Sequence, residues 1–427
     1  MEQLNQLQEE NQRLRKAVEE LSILNDLARV ISSTMTLDDV IENVVKRAVR
    51  AVHGQQGMIT LVDETAPTEM RTLIRAQNSS SQHQQFHLNQ NILGWMMINK
   101  KPLLSNDLSA DDRFTGVRDE GDFRSLLCVP LLVKNRMVGI LAVFNKKERG
   151  QFSEDDKRLL SIIAAQSGQI LENARLYEQE KSFATMQEQV RLASDIQLGL
   201  LPKKLPSLPG YEIAGKSIPA QLVGGDYFDF IRIDDSKMAI CLGDVSGKGL
   251  PASLLMANLQ ATLRGQTLLT TSAKDCVVRS NMLLFESTSD EKFVTLFYGI
   301  VDFEHHDLRF CNAGHDNPFL FSLEEPRVRR LKTGGIVLSI MDSFPFEEEI
   351  VPLHKGDILV VYSDGIPEAM NSKQELFGEE NLGEVLAANQ NLSATDLIDK
   401  VIEAAKAHAG NWPQSDDMTL LVVKRTA

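Results

Sequence analysis

Apolar residues return every three and four positions at the start of the chain. With Leu4 as position a, the seam runs Leu4, Leu7, Asn11, Leu14, Val18, Leu21, Asn25 and Ala28. Charged residues fill most other positions as far as Glu20. This spacing predicts a coiled-coil helix over residues 1–28, and Asn11 at an a position favours a parallel dimer in register. A single amphipathic helix folded onto its own domain would carry the same pattern. The rhythm then changes over residues 23–172. TLDDVIENVVKRAVRAV keeps Val40, Ile41, Val44, Val45, Ala48, Val49 and Val52 at helical spacing, and Thr36 with Asp39 opens it as a capping box. GMITLVD and MRTLIRAQ predict strands, and ILGWMMINKK predicts a short helix. SLLCVPLLV and MVGILAVFNK predict a hairpin turning at Lys134, Asn135 and Arg136. A helix capped by Ser153 follows. The order predicts an α+β unit with its helices on one side of a sheet.

Residues 173–201 return to seven-residue spacing. Leu176, Phe183, Val190 and Gln197 interleave with Gln179, Met186, Ala193 and Leu200. This predicts a helical linker whose seam is weakened by its glutamines, which makes it a poor coiled coil or a switchable one. Pro202, Pro206 and Pro209 end it and mark a boundary. In residues 202–427 several strand-like runs meet an acid at one end. Asp226 precedes YFDFIRI, where Phe228 and Phe230 alternate with polar Asp229. MAICLGD ends in Asp244, DILVVYSD ends in Asp364, and Asp416 and Asp417 stand just before MTLLVV. GLPASLLMANLQATLRG and SAKDCVVRSNMLLFES predict two consecutive amphipathic helices.

Any one of these acids reads as a turn or cap residue. Together they share one arrangement, and their convergence would be costly. Two like charges ~4 Å apart repel by about 4 kcal/mol at an effective dielectric near 20. Turn and cap hydrogen bonds of ~1 kcal/mol do not offset several such pairs, whereas a divalent cation does. No Cys or His joins the set, so the donors suit Mg or Mn rather than Zn.

The totals narrow the partners. The chain has 427 residues, enough for two or three domains, and 43% are hydrophobic. Its net charge is −14, from 45 basic and 59 acidic residues, which argues against a nucleic-acid binder. Cys128, Cys241, Cys276 and Cys311 form no CxxC pair, which predicts a cytoplasmic compartment. MEQLNQLQEE is no secretory signal, and the most apolar long window carries Lys134 and Arg136, so no membrane association is expected.

Two family resemblances add to this reading. The helix, strand and helix order of residues 23–172, closing on NKKERGQFSEDD, resembles the GAF domain family. The resemblance implies either a sensor for a small-molecule ligand or a packed dimer module. GGDYFDF, GDVSGKGLPASLLMA, NAGHDNPFL, VYSDGIPEA and SDDMTLLVV occur in the order of the SpoIIE/RsbU-type serine phosphatases, the bacterial branch of the PPM metal-dependent protein phosphatases. The resemblance covers about residues 195–425. It implies a PPM-type α/β/β/α sandwich with two Mn2+ or Mg2+ ions at one end. By motif, Asp226, Asp244, the Val245 carbonyl, Asp364 and Asp416 are the implied metal ligands, with Asp417 the fallback for Asp416. The implied reaction is attack of a metal-activated water on a phosphoserine or phosphothreonine, without a covalent intermediate.

The chain departs from the eukaryotic relatives, which carry DGHGG after the bridging Asp and an upstream phosphate-binding Arg. Here the run is DVSGKG. Lys248 is then either a phosphate contact or a solvated loop lysine. His315 and Thr295 read as structural, and His305 and His306 as a polar hairpin tip. The expectation is a cytoplasmic homodimeric phosphatase, regulated by its GAF domain through the linker. Its implied substrate is a phosphorylated STAS-domain antagonist. A catalytically inactive phosphoprotein-binding scaffold is the alternative. A diguanylate cyclase, which LVGGDYFDF brings to mind, is the more distant one because it lacks the downstream acids.

Overall fold

A computed structural model describes residues 36–427 apart from 63–70, 77–89, 109, 112, 114–123, 204, 207, 290 and 323–327. The predicted coiled-coil helix over 1–28 lies outside the described residues. The chain divides into two compact units, Met1–Thr185 and Met186–Ala427.

In the first unit, α1 (Leu37–Ala51) starts at a complete capping box. Thr36 Oγ1 accepts from Asp39 N at 3.2 Å, and Thr36 N donates to Asp39 Oδ2 at 3.1 Å. Strands β1 (Gly54–Leu61), β2 (Arg71–Ala76), β3 (Leu103–Ser105), β4 (Leu126–Val133) and β5 (Arg136–Lys146) form an antiparallel sheet in the order β2-β1-β5-β4-β3. Helix α2 is Gln90–Asn99 and α3 is Glu154–Leu200. The helices do not share one side of the sheet. Val44, Val45, Ile163 and Leu171 of α1 and α3 pack with Ile59, Leu127 and Val129. Ile92, Leu93 and Met96 of α2 pack with Met58, Leu126 and Cys128 on the other face. The strands carry near-continuous apolar runs, so both faces need a cover.

Helix α3 has 47 residues and extends about 70 Å without a break. Its first turns belong to the sheet core, and Leu176, Phe183, Met186, Ile196 and Leu198 further along are exposed.

The second unit is a sandwich. One sheet holds β7 (Tyr227–Arg232), β8 (Lys237–Val245), β9 (Val294–Asp302), β10 (Asp307–Ala313) and β13 (Gly334–Gly335), with β14 (Glu349–Pro352) also on β10. The other runs β12-β11-β15-β16-β6: Arg329–Arg330, Phe319–Phe321, Ile358–Tyr362, Met418–Arg425 and Tyr211–Ile218. Phe228, Phe230, Ile240, Phe297 and Phe310 of the first sheet meet Leu359, Val361, Leu421 and Val423 of the second to form the inner core. Alternate residues face outward on each sheet. Tyr227, Ala239, Cys241 and Tyr298 pack under α4 (Leu250–Thr267) and α5 (Ala273–Ser287). Val360, Tyr362, Leu420 and Val422 pack under α6 (Gly378–Ala388) and α7 (Ala394–Ala409). The layers are therefore helix, sheet, sheet, helix. All four cysteines are buried and unpaired.

Candidate metal centre

The strand registers place the acids at matching ends of the two sheets. Tyr227 at the start of β7 pairs with Gly243 near the end of β8. Tyr362 at the end of β15 pairs with Leu420 near the start of β16. Asp226, Asp244, Asp364 and Asp416 flank those four ends. Glycines bring the segments close. A Cβ on Gly225 would stand 2.9 Å from Val245 O and 3.5 Å from Asp244 Oδ1. A Cβ on Gly365 would stand 2.2 Å from Asp417 O. Only a residue without a side chain allows these approaches.

The carboxyls interact strongly. Burial first, then the charges of Asp244 and Asp417, raise Asp226 well above the usual carboxylate range. Burial, Asp364 and Asp416 push Asp244 up to about 7. Burial, Glu368 and Asp416 raise Asp364 to about 6. Asp226, Asp244 and Asp364 are thus each perturbed by acids far away in the chain.

The two adjacent acids behave differently. Asp417 is buried, and its Oδ1 accepts from Ala220 N at 2.8 Å. Its Oδ2 accepts from Gly225 N at 2.7 Å and Asp226 N at 3.3 Å. Both oxygens are committed to backbone donors, so Asp417 holds the Gly224–Gly225–Asp226 turn against β16. Asp416 is more open; its Oδ1 accepts from Asp417 N at 2.9 Å and its Oδ2 pairs with Lys248 Nζ at 2.7 Å. Lys248 also donates to Ser415 O.

Among the described residues, no three His, Cys, Asp or Glu side chains form a closed ligand cluster. Asp416 is turned onto Lys248 instead. A cation still fits the donor set. Asp226 Oδ2 is buried and, among the described residues, has no hydrogen-bond partner. A buried carboxylate oxygen without a donor is unstable unless it is protonated or meets a cation. The set contains oxygen donors only, as hard divalent cations require.

Sequence reasoning missed several neighbours. Gln197 of α3 clamps the acid-bearing turn: its Nε2 donates to Gly224 O at 2.7 Å, and its Oε1 accepts from Gly224 N at 3.1 Å. In the heptad spacing it is a polar gap in the seam. Asp229, by its pattern the polar member of an alternating strand, is fully buried and pairs with the half-exposed Arg264 at 2.7 Å. Asp316, beside His315, is raised to about 6 by burial and by Glu379 and Glu368. His315 Nδ1 lies 2.8 Å from Thr295 Oγ1, and Thr295 sits opposite Asp244 in the sheet. Burial lowers His315 to about 4, so it is neutral near pH 7.

A sandwich with helices outside and acids at one end is the architecture of a PPM-class phosphatase domain, here placed after an α+β unit. Residues 234–426 match the family model of stage II sporulation protein E (SpoIIE), and residues 34–172 match that of the GAF domain. The C-terminal unit is accordingly a SpoIIE-type domain and the N-terminal unit a GAF domain. Asp226 lies just ahead of the matched segment. Protein IcfG of Synechocystis sp. is 28% identical over 257 residues, 54% of this chain and 40% of that one. Phosphoserine phosphatase RsbU of Bacillus subtilis is 24% identical over 253 residues, 58% of this chain and 75% of that one. The chain thus spans less than half the length of the first relative and three quarters of the second. The solved SiaA-PP2C domain of Pseudomonas aeruginosa superimposes with a TM-score of 0.50 at 20% identity, covering 57% of this chain and 98% of that one. At that identity the likeness is one of fold. Among the described residues, no helix is long and apolar enough to cross a membrane.

Proposed function

We propose that residues 202–427 form a metal-dependent protein serine/threonine phosphatase, acting on a phosphoserine or phosphothreonine of a protein partner. What supports this reading is that Asp226, Asp244 and Asp364 are each raised by burial and by neighbouring acids, with Asp226 Oδ2 buried and, among the described residues, without a donor. Asp226, Asp244, Asp364, Asp416 and the Val245 carbonyl would hold two Mn2+ or Mg2+ ions, and Asp417 would shape the turn rather than ligate. Bound divalent cations would activate water and offset charge on the phosphoryl oxygens. A bound cation would hold Asp244 and Asp364 ionised against the burial and mutual repulsion that raise them, and the glycine turns let the acid-bearing segments approach one another. The likeness to a protein named phosphoserine phosphatase supports the substrate class. A phosphorylated STAS-type antagonist remains the proposed partner.

Regulation is proposed to reach the site through α3. Its exposed apolar residues offer a seam to a second copy, and Gln197 joins the same helix to the turn bearing Asp226. An effector of the GAF domain that favours one helix pairing over another would shift this clamp.

The test is Mn2+-dependent phosphate release from a phosphoserine peptide, with Asp364→Asn as control. Release that the variant loses supports the reading. Tight peptide binding without release would favour the inactive scaffold.

A further inference from the structure

The DVSGKG turn that follows Asp244 is built around a cation supplied by another segment. After Asp244 the chain runs Val245, Ser246, Gly247, Lys248 and Gly249 into α4, with φ of +93° at Gly247 and +73° at Gly249. The segment leading into β9 lies along this turn. Ser246 N donates to Phe293 O at 2.9 Å, and Phe293 N donates to Ser246 Oγ at 2.9 Å. Lys292, one residue earlier, lays its half-buried side chain over the turn, and its Nζ donates to Ser246 O at 3.1 Å. The ammonium fills the space that the missing side chain of Gly247 leaves, since a Cβ there would stand 2.4 Å from Nζ.

The two lysines of this turn differ in how their charge is met. Lys248 pairs with Asp416 at 2.7 Å. The hydrogen bond of Lys292 is to a neutral carbonyl, and among the described residues it has no carboxylate partner. An ammonium has three donors, so two remain for a ligand. A phosphate monoester brings close to two negative charges and three strong acceptor oxygens. Lysine meets such a group as a point charge and needs no planar fork.

We propose that Lys292 is a phosphate-binding residue of this site, donating to a phosphoryl oxygen from the Gly247 side, with Ser246 O holding the ammonium in place. This rests on the phosphatase reading and names a residue that would hold the substrate's phosphoryl group. It assigns Lys248 mainly to Asp416.

The experiment uses the full chain with saturating Mn2+. Binding of inorganic phosphate is measured by calorimetry, and p-nitrophenyl phosphate hydrolysis in parallel. Lys292→Gln keeps a donor for Ser246 O and loses the charge. It should weaken phosphate binding about 10-fold or more, the size of one charge-assisted hydrogen bond, and raise KM similarly with kcat within about 3-fold. Lys292→Arg should restore both, and the Mn2+ concentration for half-maximal activation should not move. Phosphate binding unchanged in Lys292→Gln overturns the proposal. So does Lys292→Arg behaving like Lys292→Gln with a shifted Mn2+ requirement, which would mean that Lys292 only pins the turn. Wild-type protein that binds phosphate through Lys292 but hydrolyses nothing would sink the phosphatase reading and leave this one standing. Wild-type protein that binds no phosphate overturns this one.

Discussion

Asp226 and Asp229 stand three residues apart in LVGGDYFDF, and both are buried, at 4% and 0% exposure. Asp229 is saturated. Tyr227 OH donates to it at 2.6 Å, Arg264 Nε at 2.7 Å and Phe230 N at 2.8 Å. Arg264 comes from α4, so this carboxylate fastens a helix to the sheet. Asp226 has an oxygen without a donor among the described residues, and the charges of Asp244 and Asp417 raise the cost of its own. Burial alone therefore does not separate a structural acid from a reactive one. What separates them is whether the protein supplies the partners.

Exchanging each acid for its amide gives the largest contrast. Asp226→Asn should lower Mn2+-dependent phosphate release by about 100-fold or more, because losing a ligand exceeds the effect of losing its support. Its stability in chelator should hold or rise, measured by urea unfolding of the isothermal signal. Asp229→Asn should do the reverse, with about 2–3 kcal/mol of stability lost and most turnover kept by the folded fraction; Arg264 is half-exposed, so the loss falls below that of a fully buried pair. Equal stability losses in the two variants would erase the distinction.

Gln197→Leu should come next. It removes both hydrogen bonds to Gly224, each worth about 1 kcal/mol. The Mn2+ concentration for half-maximal activation should rise about 5- to 10-fold, read from activation curves. An unchanged curve would remove the clamp from the account.

The acids also predict a pH trend. The folded-state values of Asp244 and Asp364 are raised to about 7 and about 6. Such groups favour the folded state while protonated, and that contribution fades as pH rises from about 4 to 7. In chelator the melting temperature should fall across this window, and saturating Mn2+ should flatten the fall. The smallest effect belongs to the other unit. Thr36→Ala breaks the capping box and should lower stability by about 1 kcal/mol without changing kcat.

The sequence carried the strands, the helices and the acids at strand ends, because each leaves a local trace: a period of two, a period near 3.6, or a glycine beside an Asp. It did not carry what depends on distant partners. Arg264 is 35 positions from Asp229, and Gln197 is 27 from Gly224. Neither pairing has a periodic signature. The adjacent Asp416 and Asp417 look alike in one dimension, and only the backbone donors of residues 220–226 tell them apart. The short helix α2 was visible as an element, but its side of the sheet was not, since a strand apolar on both faces accepts a helix on either.

The burial of all four cysteines has a practical consequence. Thiolates, not thiols, react with maleimides, and burial raises the thiols of Cys128, Cys241, Cys276 and Cys311 above their ordinary range. The native protein should be nearly silent to such reagents. A single thiol placed on the outer face of α3 can then carry a fluorophore or spin label against almost no background, without first stripping the interior of sulfur.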